Sequence, residues 1–311
     1  MQDKKFFVVM ELDNVVYDFS NYYLDMIEFI ASFVNENFGL NKDEFIDKFI
    51  FKMKDFVFTC NDYLYVTAEV LREYDNTKTM NFSNVSSKIS FINSLRIRFN
   101  QSRIKYLKFI PGILLFLSFV KNNGGCIVGF TNSPSRLVKQ RLKLLDIDKY
   151  FEDVYCLQDS FSAYNGKYYD LSDGDSISSI WYYSICNNVS SLMCDVIEFP
   201  IMYQKPSRRG LQRILEEEGI PEDRVIVIGN SVENDILTAK FLKLRAVLLD
   251  YKPKIRNKFI LQKLLKEIPV KHLRKIINLP NNKKFMKENL DLVTISSFSE
   301  FVYSKEIKML V

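Results

Sequence analysis

Short apolar runs recur along the chain, and each ends on polar side chains. The first run, residues 6–10, is apolar at every position, which is typical of a strand buried on both faces. Two carboxylates one residue apart, Glu11 and Asp13, follow it directly. Because residues i and i+2 of a strand point the same way, both acids are predicted on one side of its carboxyl end. Open α/β sheets hold their ligands at that end, although a simple polar turn after a strand gives the same pattern.

The apolar spacing changes to a helical repeat after this strand. Apolar side chains such as Tyr22, Met26 and Phe29 recur three and four residues apart, and no strand-like alternation interrupts the region up to about residue 106. The pattern predicts an all-helical unit of three to five helices over residues 19–106. Its apolar stripes are interpreted as core and not as a binding surface.

Strand-like runs and amphipathic helices alternate through the rest of the chain. The predicted strands are residues 126–130, 148–155, 225–228, 246–249 and 292–296. This alternation predicts the α/β class with a doubly wound parallel sheet. The predicted core is residues 1–18 plus 107–311, with the helical unit 19–106 inserted into it. Two further insertions are predicted, at about 157–203 and at 252–287.

The insertion at 157–203 has no regular pattern. Its one clear local signal is Asn165-Gly166 between aromatic flanks, which predicts a tight β-hairpin.

Composition favours a soluble, cytoplasmic protein. The 311 residues are 47% hydrophobic and 26% charged, which is ordinary for a globular chain. The five cysteines form no C-x-x-C pair, which favours free thiols in a reducing compartment. No signal-peptide pattern opens the chain, and the longest apolar stretch, 109–120, is too short to cross a bilayer. No membrane partner is therefore expected.

Positive charge is concentrated in the insertion at 252–287. It holds twelve Lys or Arg and one acid, Glu267, while the whole chain carries only +5, so the remainder is net acidic. Such a face, with Lys271, Arg274 and Lys275 close together, suits nucleic acid or an acidic partner. The alternative is that the segment docks on the protein's own acidic surface.

Four polar clusters each follow a predicted strand or open a helix beside one. In chain order they are Glu11 with Asp13, Thr131 with Asn132 and Ser133, Lys205, and Asn230 with Asp235. Because parallel strands end at one edge of a sheet, these clusters are expected to converge in a single cleft.

The clusters resemble the four motifs of the haloacid dehalogenase-like (HAD) superfamily. Glu11-Leu12-Asp13-Asn14-Val15 stands where that family has Asp-x-Asp-x-Thr/Val, and the segments GFTNSP, QKPS and VIGNSVENDI resemble its other three motifs. The resemblance covers roughly residues 5–18, 107–156 and 203–250. It implies a Rossmannoid core, a helical cap of the C1 type, and hydrolysis of a small phosphomonoester.

The resemblance also implies a role for each motif residue. Residue 11 would attack phosphorus, and Asp13 would protonate the leaving oxygen and then activate water. Thr131 and the neighbouring positions Asn132 and Ser133 would hold the phosphate, and Lys205 would neutralise it. The implied Mg²⁺ ligands are the carboxylate of Glu11, the carbonyl of Asp13, and Asn230 and Asp235.

Two positions depart from the family pattern. Glu11 replaces the nucleophilic Asp and adds about 1.5 Å of reach, and a misplacement of ~1 Å can cost ~10²-fold in rate. Asn230 replaces an acid, so the metal site loses a charge, although Asp235 is kept and Glu233 is a candidate stand-in. These departures predict a weak enzyme. The alternative is a catalytically degenerate binding or regulatory protein on a HAD fold.

Overall fold

The computed structural model describes residues 6–55, 63–159, 176–186, 191–273 and 293–304. Within them the strands are β1 Phe7–Met10, β2 Cys126–Pro134, β3 Asp153–Leu157, β4 Asp195–Phe199, β5 Val225–Gly229, β6 Arg245–Leu249 and β7 Val293–Ile295. They form one sheet in the order β4-β3-β2-β1-β5-β6-β7, with every pair parallel. The predicted fold class is therefore confirmed.

Helices cover both faces of this sheet. They are α1 Phe19–Phe38, α2 Lys42–Asp55, α3 Tyr63–Asn76, α4 Val85–Tyr106, α5 Ile113–Asn122, α6 Ser135–Leu145, α7 Ile177–Cys186, α8 Arg208–Glu217, α9 Leu237–Phe241, α10 Lys258–Glu267, α11 Val270–Leu273 and α12 Phe298–Tyr303. In β1, Val8 packs into one apolar core and Val9 into the core on the opposite face. This explains why the first strand is apolar at every position.

Helices α1 to α4 occupy the region predicted to be helical, and the chain enters and leaves it through two adjacent segments. Tyr17 pairs with Phe109 in an antiparallel bridge, and the Ile110 N–H donates to the Val16 carbonyl at 3.0 Å. The base of these four helices therefore lies beside the carboxyl end of β1. The division of the chain into domains stays a prediction.

The insertion at 157–203 contributes to both the sheet and the helical unit. It supplies the edge strand β4, and its helix α7 packs against α3 and α4. Trp181 of α7 is fully buried, donates from Nε1 to the Leu64 carbonyl at 3.1 Å, and meets the Phe99 ring edge-on. The hairpin predicted at Asn165-Gly166 lies outside the described residues.

The described part of the basic insertion packs on the protein itself. Helix α10 lies against α2, burying Ile260 and Leu264 and leaving Leu265 exposed. Ion pairs join this segment to α1 and α2: Arg256 pairs with Asp25 of α1 and Lys263 with Asp47 of α2. In the opposite sense, the acid Glu267 of α10 pairs with Lys54 of α2. This arrangement corresponds to docking on an acidic surface of the same chain. Arg274, Lys275 and the rest of the segment up to residue 287 lie outside the described residues, so binding of nucleic acid or an acidic partner stays a prediction.

Within the described ranges, no helix is both long and apolar enough to cross a membrane.

Candidate active site

The four polar clusters meet at the carboxyl ends of three neighbouring strands. Glu11 follows β1, Thr131 lies in the terminal part of β2, and Gly229 ends β5. Because β1 pairs in parallel with both β2 and β5, these ends lie side by side. Lys205, just before α8, reaches the same edge of the sheet through its side chain.

A buried ammonium is the centre of the site. The Lys205 side chain is 3% exposed and pairs with Glu11 Oε2 and with Asp235 Oδ1, the latter at 2.6 Å. Its Nζ also donates to the Phe130 carbonyl at 3.0 Å. Burial alone would lower the pKa of Lys205, but the carboxylates of Asp235 and Glu11 outweigh it and raise that pKa. The side chain therefore remains a cation at any physiological pH.

The Glu11 carboxylate also contacts the backbone of the two residues that follow it. Glu11 Oε1 accepts hydrogen bonds from the N–H groups of Leu12 at 2.7 Å and Asp13 at 3.2 Å. Successive amides of this kind form a cradle for an anion. One carboxylate oxygen thus fills the amide cradle while the other pairs with Lys205. The additional methylene of Glu11 gives the carboxylate this reach.

Asp13 belongs to a second buried cluster. Its Oδ2 accepts from Ser133 Oγ at 2.6 Å, and its Oδ1 accepts from Arg141 Nη1 at 2.8 Å. Arg141 Nη1 also donates to Ser133 Oγ at 3.1 Å. Burial raises the pKa of Asp13, and the Arg141 guanidinium opposes that rise. The cluster therefore places beside Glu11 a carboxyl group whose pKa is higher than that of an exposed Asp.

Arg141 is the site residue that the sequence reasoning missed. It lies on α6, 128 positions after Asp13, and its side chain has 0% exposure. The signal was its place four residues after Leu137 on the apolar face of a helix, where an arginine needs a buried partner. The pattern alone could not identify that partner.

The predicted phosphate-binding residues are held in place by internal hydrogen bonds. Thr131 Oγ1 accepts from the Ser133 N–H at 3.2 Å. Asn132 Oδ1 accepts from the Lys205 N–H at 2.9 Å, and Asn132 Nδ2 donates to the Lys205 carbonyl at 3.1 Å. Asn132 therefore positions the backbone of Lys205. Ser133 and Asn132 thus bind residues of other motifs, namely Asp13 and Lys205. Among the described residues, the Thr131 side chain bonds only within its own motif.

The loop after β5 brings Asp235 against the strand end. Asp235 Oδ2 accepts from the Ser231 N–H at 3.0 Å. A Cβ on Gly229 would lie 2.2 Å from the Asp235 Cβ, so only glycine allows this approach. Asn230 is buried in the same loop. Burial raises the pKa of Asp235, with Lys205 opposing it.

The donor set is chemically suited to Mg²⁺, the metal that the resemblance implies. Carboxylate oxygens of Glu11 and Asp235, the Asp13 carbonyl and the Asn230 amide oxygen are all hard ligands of the kind this ion prefers. Among the described residues, no three His, Cys, Asp or Glu side chains form a group that could hold a metal. The two carboxylates would therefore be completed by the neutral oxygens of Asp13 and Asn230.

Comparison by sequence found nothing: no protein-family model matches the chain, and no curated protein matches it. Comparison by structure found many similar chains. A haloacid dehalogenase-like family hydrolase from Xanthomonas campestris aligns with a TM-score of 0.51 at 10% identity, over 98% of this chain and 95% of its own. L-2-haloacid dehalogenase from Xanthobacter autotrophicus aligns at 0.48 and 10% identity, over 98% and 99%. A HAD phosphatase from Thermococcus onnurineus aligns at 0.41 and 13% identity, over 79% and 87%.

The chain has the haloacid dehalogenase-like fold. The Xanthomonas campestris hydrolase covers almost the whole of both chains, and at 10% identity the likeness establishes fold and nothing finer. The resemblance inferred from the four motifs is confirmed at that level.

Proposed function

We propose that the protein is a HAD-type hydrolase that acts on a small phosphomonoester through Glu11, with low turnover. The observation that carries the proposal is the buried Lys205 ammonium, shared by Glu11 and Asp235 at the carboxyl end of β1. A carboxylate nucleophile beside a fixed cation is the arrangement that phosphoryl transfer requires. The HAD-like fold supports a hydrolase of this class.

The reaction follows from what each side chain can do. A carboxylate oxygen of Glu11 attacks phosphorus, and the bond from phosphorus to the leaving oxygen breaks. Protonated Asp13 gives its proton to that oxygen, a form that burial favours because it raises the pKa of Asp13. Asp13 then takes a proton from water, which attacks the acyl-phosphate and releases inorganic phosphate and Glu11. Lys205 and the Thr131 hydroxyl hold the phosphoryl oxygens.

Mg²⁺, when bound, would supply further positive charge to the phosphoryl oxygens. Glu11, Asp235, Asn230 and the Asp13 carbonyl would hold it.

Glu11→Asp is expected to raise the hydrolysis of p-nitrophenyl phosphate by ~10²-fold. The shorter side chain cannot fill the amide cradle and pair with Lys205 at once, so the Leu12 and Asp13 N–H groups become available to the substrate. Steady-state assays with a panel of phosphomonoesters and Mg²⁺ measure the change. Glu216→Asp, an equal shortening on the exposed face of α8, is the matched control.

Two outcomes would contradict this expectation. Robust wild-type turnover that Glu11→Asp diminishes would mean that Glu11 already works as the nucleophile in a re-spaced site. Absence of turnover in both proteins, with Mg²⁺ present and the fold intact, would refute the hydrolase proposal.

Asn230→Asp is expected to tighten Mg²⁺ roughly tenfold, which corresponds to ~1.4 kcal/mol. A carboxylate then replaces a neutral amide in the same loop as Asp235, and Mg²⁺ affinity rises with ligand charge. Isothermal titration calorimetry with Mg²⁺ measures the affinity. Asn122→Asp, which adds the same charge on an exposed helix end, is expected to leave it unchanged. Equal tightening in both variants would assign the effect to net charge instead.

A second candidate function is a degenerate HAD-fold protein that binds a phosphorylated ligand without hydrolysing it. The observation that favours it is the engagement of both Glu11 oxygens and both Asp13 oxygens by donors of the protein itself. Such a protein would bind a non-hydrolysable phosphonate and leave phosphomonoesters intact. The same assays, run beside a phosphonate titration, separate the two candidates.

A further inference from the structure

Arg141 has one edge of its guanidinium unused. Its Nη1 binds Asp13 and Ser133, whereas its buried Nε and Nη2 have no hydrogen-bond partner among the described residues. Nε and Nη2 form a single edge of the planar group. That edge matches two oxygens of a carboxylate or phosphate, which it binds through two parallel hydrogen bonds.

A second buried arginine shows the same feature. Arg103 lies in the last turn of α4, and its Nη1 donates to Asn100 Oδ1 at 3.2 Å. Its Nε and Nη2 are buried and, in the described part of the chain, make no hydrogen bond. No carboxylate in the described part of the chain forms an ion pair with Arg103. Leaving charged donors unsatisfied in the interior is costly, so an anion that accepts hydrogen bonds from these nitrogens would be stabilised there.

A continuous series of ring contacts through two tyrosines connects Arg141 with Arg103. The hydroxyls of Tyr22 and Tyr63 are 2.6 Å apart, and the Arg141 Cζ lies 5.9 Å from the Tyr22 ring. On the other side, the Tyr63 ring lies 6.0 Å from the Phe99 ring, over which Arg103 is placed. Both guanidinium groups lower the pKa of Tyr63 against the larger effect of burial, which raises it. Both charges therefore act on the Tyr63 hydroxyl.

Aromatic rings pack against the flat faces of these guanidinium groups, but they do not provide acceptors for the N–H groups along the edges. The Arg141 Cζ lies 4.3 Å from the centre of the Phe19 ring, a close cation–π contact. Such a contact satisfies the flat face, while N–H groups in the plane still need acceptors. The aromatic contacts therefore provide no acceptor for Nε and Nη2 of either arginine.

We propose that Arg141 and Arg103 bind a second anionic group, a carboxylate or a phosphate, of the ligand whose phosphoryl group is held at Lys205. This inference rests on the proposed function and deepens it, because it defines the substrate class as phosphomonoesters that carry another anion. Asp13 connects the two sites, since it lies beside Glu11 and is hydrogen-bonded to Arg141. Arg141 comes from the core helix α6 and Arg103 from α4, so the ligand joins the sheet to the helical unit.

The test compares three non-hydrolysable ligands by isothermal titration calorimetry. Propylphosphonate has a neutral tail, 3-phosphonopropionate ends in a carboxylate, and propane-1,3-diphosphonate ends in a second phosphonate. We expect wild type to bind at least one of the two ligands with an anionic tail roughly ten- to a hundredfold more tightly than propylphosphonate, the range for hydrogen bonds to charged groups. The two anionic tails distinguish a carboxylate from a phosphate source.

Substitutions of the two arginines test whether they cause the tighter binding of ligands with an anionic tail. Arg103→Gln and Arg141→Lys are each expected to reduce it, because neither substituted side chain presents the two-donor edge. Arg98→Gln is the matched control, since Arg98 lies on the same helix in an exposed pair with Glu36. It should keep the full preference.

Equal affinity for all three ligands, or no binding of any, would overturn the inference. A preference that survives in both Arg103→Gln and Arg141→Lys would also overturn it. Because binding is measured without turnover, this result is separable from the proposed function. Tighter binding of the ligands with an anionic tail, without hydrolysis of phosphomonoesters, would support the second anion site and refute the hydrolase. Hydrolysis without this difference in affinity would support the hydrolase and refute the second anion site.

Discussion

Arg141→Met is expected to lower the free energy of unfolding by about 3–5 kcal/mol, because it leaves Asp13 as a buried carboxylate without its cation. Arg141 and Asp13 are 0% and 7% exposed at their side chains and are joined by a 2.8 Å hydrogen bond. Ser133 would remain as a neutral donor to Asp13. Urea denaturation at neutral pH measures the loss.

A paired variant separates lost charge compensation from lost packing. Arg141→Met with Asp13→Asn removes both charges and is expected to recover most of the stability. Arg98→Met, on the surface, is expected to change the free energy of unfolding by less than about 1 kcal/mol. Equal losses in the single and double variants would show that the pair has no electrostatic role in folding.

The loss in Arg141→Met should also depend on pH. Burial raises the pKa of Asp13, and Arg141 is the main influence that lowers it, so removing Arg141 raises that pKa further. An acid whose pKa is higher in the folded state costs stability above that pKa and stops doing so once protonated. The deficit relative to the double variant is therefore expected to be largest at neutral pH and to shrink as the pH falls. A deficit independent of pH would contradict the assignment.

Trp181→Ala is expected to cost about 3–5 kcal/mol and to loosen α7 from the helical unit. The indole is fully buried, and its N–H satisfies the Leu64 carbonyl on α3 while its ring packs against Phe99 on α4. Removing it leaves a cavity between three helices. Urea denaturation measures the stability, and hydrogen exchange of the α3 and α4 amides locates the loss.

Two comparisons make this second prediction specific. Trp181→Phe keeps most of the ring volume but loses the N–H donor, so its cost should fall clearly below that of alanine. Tyr303→Ala removes an aromatic ring that is 73% exposed and should change stability little. Unchanged exchange of the α3 and α4 amides in Trp181→Ala would show that α7 does not hold the helical unit.

Local pattern predicted most of the central sheet and where its ends would meet. Residues 6–10 are apolar throughout because β1 faces a core on each side, and that requirement is visible in five consecutive residues. The meeting place of the polar residues was predictable from their position at or near strand ends. Glu11, Lys205 and Asp235 converge because parallel strands end at a common edge, which is a property of the fold class.

Elements without a local signal were not predicted. Strand β4 is an exposed edge strand in which only Phe199 is buried, so it lacks the apolar run that marks the central strands. Helix α7 is held by contacts of Trp181 with α3 and α4, which lie far earlier in the chain, so the local sequence does not indicate them. The docking of the basic helix α10 on α2 depends likewise on acids about two hundred residues away.

By itself, then, the sequence determined the parallel sheet, the helical region over residues 19–106 and the edge at which the polar clusters meet, because each depends on periodicity or on strand ends. Only the tertiary structure decided which side chains pair. It paired Arg141 with Asp13, and it directed the Glu11 carboxylate onto the N–H groups of Leu12 and Asp13 as well as towards Lys205. Ion pairs and hydrogen bonds form between residues far apart in the chain. Which atoms pair depends on differences in distance of a few tenths of an ångström, and the spacing of residues in the sequence does not encode such differences.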